Sequence, residues 1–326
     1  MIRSKIRNAR AGTAATAAVL ALAAAGAPVR AEAPRVVVTI KPIHALVASV
    51  MDRIGTPALL LSGSMSPHGV SLRPSQARML AESEMVVWTG PALEQSVAKI
   101  VRNLAGKAVS LPLQDAPGVR LLKLREGGIW ELDDHDHGHG HGHGEEEGDE
   151  DEERADIDAH IWLDPHNAIA MTRAIGEALA RADAANAAAY RANAAATVGR
   201  LKALDTEIAK AVRPLRGKRY IVFHDAYQYF EKRYRLKPAG SITIDPHRTP
   251  SPRRLFDIRT RILKRGASCV FREPQFEPKV VNVLVRGTSA KVGTLDPVGA
   301  GLPAGKDAYA TLLRRLVAGL RTCLTG

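Results

Sequence analysis

The chain has 326 residues, 46 Lys+Arg against 34 Asp+Glu (formal net charge +12) and two cysteines. That length suits two cores of ordinary domain size. The basic residues are scattered, with no aromatic-interleaved run, which argues against a nucleic-acid-binding protein.

The N-terminal stretch MIRSKIRNARAGTAATAAVLALAAAGAPVRA has a basic start, an apolar alanine-rich middle and small residues around Ala31. This layout predicts a secretory signal peptide over 1–31. The apolar part is short of the roughly 20 residues needed to span a bilayer. The first cysteine is Cys269, so no cysteine near the cleavage point could carry a lipid, and a periplasmic location is expected. Without residues 1–31, five basic groups are lost and the balance is 41 against 34, or +7.

From residue 35, apolar runs alternate with helical patterns. RVVVTI (35–40), ALLL (58–61), MVVW (85–88) and VRLLKL (119–124) read as strands, with helices over 43–54, 74–84 and 92–104 between them. Such alternation implies βαβ units and a mostly parallel sheet. It stops at Gly127-Gly128. The segment 131–158 holds 14 acidic residues and one arginine, and contains HDHGHGHGHGEEEGDEDEE. Glycine at every second position and a self-repelling acidic block predict disorder there.

Order is expected to resume at HIWLDP (160–165), followed by a helix from Pro165. An Ala-rich helical pattern then runs over 184–214 and ends at Pro214. A second alternating half follows, with strands RYIVF (219–223), SITI (241–244), SCVF (268–271) and AKVGTLD (290–296). The expected fold is α/β: two Rossmann-like lobes (32–183 and 215–326) joined by one long rigid helix (184–214), with a ligand cleft between them. In an exported chain, Cys269 and Cys323 read as one disulfide, with two buried free thiols as the other reading.

The candidate ligands are histidines in loops after strands, where open α/β sheets bind their ligands. His68 follows ALLL, His160 opens HIWLDP and His224 ends RYIVF, while Asp296 ends AKVGTLD. Three imidazoles and a carboxylate would suit tetrahedral zinc. Spacing alone does not show that they meet. His44 could reach the cleft or serve the structure, Asp164 and Asp225 could orient imidazoles, and His166 and His247 read as surface residues. The run His135, His137, His139, His141 and His143 reads as an accessory metal segment by composition.

The motifs TIKPIHALVASVM, SPHGVSLRPSQARML, VVWTGPALE, HIWLDP, FHDAYQYFE, FREPQF and GTLDP resemble those of the zinc-binding proteins of bacterial ABC zinc importers (ZnuA-type, cluster A-I solute-binding proteins). The likeness runs in order from about residue 35 to the C-terminus and breaks at 131–158. It implies two lobes on a long helix, Zn²⁺ as transported cargo, and His68, His160 and His224 as its ligands. Relatives vary at the fourth position between the aspartate matching Asp296, a glutamate and water; the glutamate before the first histidine in some relatives is Pro67 here. The family also implies a disulfide between Cys269 and Cys323, a membrane permease with a separate cytoplasmic ATPase as partners, and a monomer.

Three other readings compete with this one. A manganese or iron carrier of this fold usually has glutamate where His224 stands. A zinc buffer or metal-dependent adhesin shares the site but not the transporter. A metal-activated hydrolase is disfavoured because HExxH, GxSxG and CxxC are absent, and GLPAGKD (301–307) has alanine at 300 and Asp307 where a phosphate loop needs Gly and Ser/Thr. Because metal-bound imidazole must be neutral, affinity should fall below about pH 6.5.

Overall fold

The computed structural model describes residues 1, 32–63, 65–69, 71–103, 108–125, 156–244, 246 and 249–326. The expected signal peptide beyond Met1, the histidine run from His135 to His143, and His247 lie outside these residues.

The first sheet contains β1 (Val36–Val38), β2 (Ala58–Leu59), β3 (Met85–Trp88) and β4 (Val109–Pro112), all parallel, in the order β2-β1-β3-β4. Its central strands β1 and β3 are buried throughout, as apolar parallel strands covered on both faces should be. The second sheet contains β7 (Tyr220–His224), β8 (Gly240–Thr243), β9 (Cys269–Arg272) and β10 (Lys291–Thr294), also parallel, in the order β8-β7-β9-β10. Each half therefore repeats one topology, second-first-third-fourth, with a switch point between its first and third strands.

VRLLKL departs from the expected parallel series. Only β5 (Leu122–Lys123) is strand, and it pairs antiparallel with β6 (Ile157–Asp158) in a separate two-stranded sheet. An antiparallel pair needs no covering crossover helix, so the two ends of the intervening segment can pair directly.

Helices start where the chemistry allows them. Helix α1 (Lys41–Val50) and α2 (Pro74–Ala81) carry proline in the first turn, where no N–H is needed. After α3 (Gln95–Asn103), α4 (Pro165–Ala182) is capped by Asp164, whose carboxylate accepts from His166 N at 2.8 Å. Helix α5 (Ala187–Val212) is the joining helix; at 1.5 Å per residue it is about 39 Å long. Short 3₁₀ turns at Ala184–Asn186 and Arg213–Leu215 extend it at both ends. In the second half, α6 (Gln228–Tyr234), α7 (Pro252–Arg265), α8 (Lys279–Val285) and α9 (Ala308–Thr325) complete the βα alternation.

Helices α4 and α5 form the most extensive helix–helix contact. Their approach is close: a Cβ at Gly176 would lie 2.7 Å from that of Ala194. Helix α5 buries Tyr190, Ala194, Val198, Leu201, Leu204, Ile208 and Val212 along one stripe, which also packs on α1 and α9. As a result the main core is not divided between halves. One apolar cluster runs from Val37 and Val87 in the first sheet through Leu201 to Tyr220, Phe271 and Leu316. A second cluster covers only the other face of the second sheet, with Ile221, Ile242, Val270 and Ile262. Strand alternation divides β7 and β9 between the two: Tyr220, Val222, Cys269 and Phe271 face the large core, Ile221, Phe223 and Val270 the small one.

Cys269 and Cys323 form a disulfide, with a Cα–Cα distance of 6.0 Å, that ties α9 to β9. Closing the 54-residue separation constrains the unfolded chain by about 4 kcal/mol in the chain-entropy model.

Candidate metal centre

His224 is the last residue of β7, and Glu273 follows directly after β9. Both therefore stand at the carboxyl-end switch point of the second sheet, where neighbouring strands send their chains in opposite directions. His224 Nδ1 donates to Glu273 at 2.8 Å (Oε1) and lies 2.7 Å from Oε2. Tyr227 OH donates to the same Oε1 at 3.1 Å. His160 precedes a 3₁₀ turn (Ile161–Leu163); its backbone N and its Nδ1 both donate to Asp158 Oδ1, at 3.0 and 2.8 Å. His68 sits in a 3₁₀ turn (Pro67–Gly69) in the loop after β2, with its backbone N 3.4 Å from Ser66 Oγ.

The three rings converge through Nε2. His68 Nε2 lies 3.1 Å from His160 Nε2, which lies 3.2 Å from His224 Nε2. Two carboxylates take the Nδ1 protons of His160 and His224, so in the neutral rings Nε2 is a bare lone pair aimed at the same point. Converging lone pairs repel unless a cation lies between them. Two nitrogens bonded at about 2.0–2.1 Å to one tetrahedral zinc stand about 3.3–3.4 Å apart, close to the spacing here. Among the described residues, His68, His160 and His224 are the group of His, Cys, Asp or Glu side chains whose ligand atoms fall within 4.8 Å of one another. His160 and His224 are buried and His68 is half-buried, at the base of a narrow cleft walled by Pro67, Phe276, Pro297 and Val298.

The other candidates are placed elsewhere. Asp296 does not join the three imidazoles: its Oδ1 accepts from Gln275 Nε2 (2.7 Å), Gly299 N (2.9 Å) and Val298 N (3.3 Å). An aspartate that captures the amides two and three residues onward shapes a turn. The same turn receives Lys41, whose Nζ donates to Gly299 O and Ala300 O at 2.7 Å each. His44 is buried in α1, with Nε2 3.0 Å from Pro57 O, and burial holds its pKa below the usual imidazole value. It braces the loop before β2. Neither Asp164 nor Asp225 hydrogen-bonds one of the three imidazoles: Asp164 caps α4, and Asp225 faces Arg125 at 2.6 Å. His166 is half-exposed, with Nε2 3.7 Å from Asp205.

Sequence reading missed the two carboxylates that do orient imidazoles, Asp158 and Glu273. Both left a signal. Asp158 stands two residues before His160, close enough to reach back to Nδ1. Glu273 lies in FREPQF, directly after the strand beside that of His224.

Residues 36–323 match the profile of the family described as ZnuA, zinc-uptake complex component A, periplasmic. The chain belongs to the ZnuA family. It is 44% identical over 315 residues to the high-affinity zinc uptake system protein ZnuA of Brucella suis biovar 1 (strain 1330), covering 92% of this chain and 94% of that protein. The ZnuA of Paracoccus denitrificans (strain Pd 1222) is 42% identical over 312 residues, covering 93% and 96%. The fold is similar to a crystal structure of ZnuA, with a TM-score of 0.73 at 22% identity over 90% of this chain and 99% of that one. Membership in a family of substrate-binding transport components agrees with the absence of catalytic signatures in the sequence.

Proposed function

We propose that this protein is the periplasmic zinc-binding component of an ABC importer, catching Zn²⁺ at His68, His160 and His224 and delivering it to a membrane permease served by a separate ATPase. The observation that carries the reading is the convergence of three Nε2 atoms, two of them on rings whose Nδ1 is held by a buried carboxylate. Carboxylate–histidine–metal relays of this kind fix the tautomer and raise ligand basicity. A nitrogen-only set favours zinc over manganese, which prefers carboxylate and water. Zinc is here the cargo, and water completes the coordination, with Asp296 engaged through Oδ1 in its own turn.

Residues 1–31 act in this reading as a cleaved export signal, and the mature chain works as a monomer. Among the described residues no helix is long and apolar enough to cross a membrane. Zinc and manganese titrations of the purified chain by calorimetry, with chelator competition, test the proposal. One tight zinc site per chain is expected, and manganese binding more tightly than zinc would overturn it. Removing 133–153, with its accessory histidines, should lower the total number of zinc ions bound and leave the tight site in place.

A further inference from the structure

The hairpin β5–β6 precedes the joining helix in the chain, yet its hydrogen bonds cross to the second half. Leu122 N donates to Tyr229 OH at 2.9 Å, and that hydroxyl donates to Asp158 O at 2.8 Å. Gln228 Nε2 donates to Lys123 O at 3.0 Å. At the hairpin's outer end Arg125 inserts its guanidinium between two carboxylates of the second half. Nη2 lies 2.6 Å from Asp225 Oδ1 and 2.5 Å from Glu231 Oε2. The Arg125 side chain is 18% exposed, and those of Asp225 and Glu231 are 4% and 3% exposed. Tyr220 OH anchors the far side of Glu231 at 3.0 Å.

This clamp lies between the chain segments that carry two of the three imidazoles. On one side, Asp158 lies on β6, paired through Leu122 with the strand that leads to Arg125, and its carboxylate holds His160. On the other side, Asp225 is the residue after His224. Desolvation makes buried ion clusters poor contributors to stability; apolar residues of similar shape often replace them at no loss. What this one does supply is a defined distance between two chain segments that approach from opposite halves.

We propose that Arg125 is a positioning residue of the metal centre, setting the separation of His160 and His224 across the seam and so the affinity and geometry with which the metal is held. The inference rests on the three-histidine reading above. It differs from a purely structural role in predicting that folding and metal binding respond differently when the clamp is replaced.

The test compares Arg125→Met, Arg125→Lys and His160→Ala with the wild type in the full-length mature chain. Readouts are chelator-competition zinc affinity, the visible absorption of bound Co²⁺ as a report on tetrahedral geometry, and circular dichroism of the metal-free protein. Arg125→Met should remain folded and bind zinc about 10–100-fold more weakly, the range for losing an outer-shell partner, with altered Co²⁺ bands. Arg125→Lys should recover part of the loss, because its ammonium restores the charge but not the shape and weaker hydration of the planar guanidinium. A folded Arg125→Met with wild-type affinity and Co²⁺ spectrum would overturn the proposal. If Arg125→Met does not fold, Glu231→Gln, which keeps shape and removes one arm, is measured the same way, and unchanged affinity and spectrum there would overturn it too. Should His160→Ala bind zinc as tightly as the wild type, the three-histidine reading itself fails; loss in His160→Ala with none in Arg125→Met defeats only the clamp.

Discussion

The two sheets share one strand order, but their switch points do different work. In the second sheet the first strand ends in His224 and the third is followed by Glu273, so imidazole and carboxylate meet at 2.8 Å. In the first sheet the equivalent place holds Glu94, in the turn after β3, whose Oε2 accepts from Thr89 N at 2.8 Å. Among the described residues, no histidine hydrogen-bonds it. Burial, only partly offset by hydrogen bonds from Thr39, Thr89 and Gly90, raises the Glu94 pKa to about 7. The first half instead supplies His160, beside the β5–β6 pair, and a half-buried His68 from a loop after a two-residue strand. An imidazole shares the corner of Glu273, so that carboxylate orients a candidate ligand, whereas Glu94 hydrogen-bonds its own turn.

The sharpest way to break this comparison is to remove an anchored ring. His160→Ala or His224→Ala should weaken zinc binding on the order of a thousandfold, about 4 kcal/mol, read by chelator competition. Equal affinity in either variant would leave the anchored pair without a role.

Glu94 offers the next largest effect, on stability rather than binding. Its folded pKa lies above the unfolded value near 4.5, so its contribution to stability is full below that value and is lost as pH rises through about 7. At 1.36 kcal/mol per unit the loss is about 3 kcal/mol. Urea unfolding with chelator present should show Glu94→Gln gaining on the wild type by roughly this amount between pH 5 and pH 8. Burial of His44 works in the opposite sense, adding stability as pH rises toward its unfolded value; because it is common to both proteins, it cancels in the difference.

His68→Ala tests the half-buried ring. Two anchored imidazoles remain, so the loss should be nearer a hundredfold, about 2.7 kcal/mol, by the same competition. A loss exceeding that of His224→Ala would reverse the ranking of the two halves. The smallest effect belongs to Glu273→Gln, which keeps the shape and an accepting oxygen but removes the charge facing His224. About tenfold weaker zinc binding is expected, and an unchanged affinity would show that the carboxylate's charge is idle.

Much of this was legible in the chain, and what was not has physical reasons. RVVVTI and MVVW announced buried parallel strands, because apolar residues on both faces leave no other comfortable setting. Nearly thirty helix-forming residues before Pro214 announced the joining helix. The positions of His68, His160 and His224 at strand ends followed from the α/β pattern, while their meeting followed only from family resemblance. Asp158 and Glu273 escaped because a carboxylate's partner depends on tertiary neighbours that local pattern does not encode. Asp296 was read as a ligand from its place after a strand, but amides of its own turn compete for the same oxygen. The undivided main core also escaped: the stripe on α5 shows that the helix is buried along one side, not that both halves share that side.

The carboxylates at Asp158 and Glu273 give the centre a charge rule. Imidazole must be neutral to hold a metal, and the carboxylates hydrogen-bonded to the rings, Asp158 and Glu273, stand behind them. In the proposed zinc complex a dication would match the charge of those two carboxylates, when ionised, without touching either. A monovalent ion would leave one negative charge uncompensated in a poorly solvated place, and a trivalent ion one positive, each at the desolvation cost that buried unpaired charge carries. On the proposed reading, discrimination by valence would lie one layer behind the nitrogens, in Asp158 and Glu273.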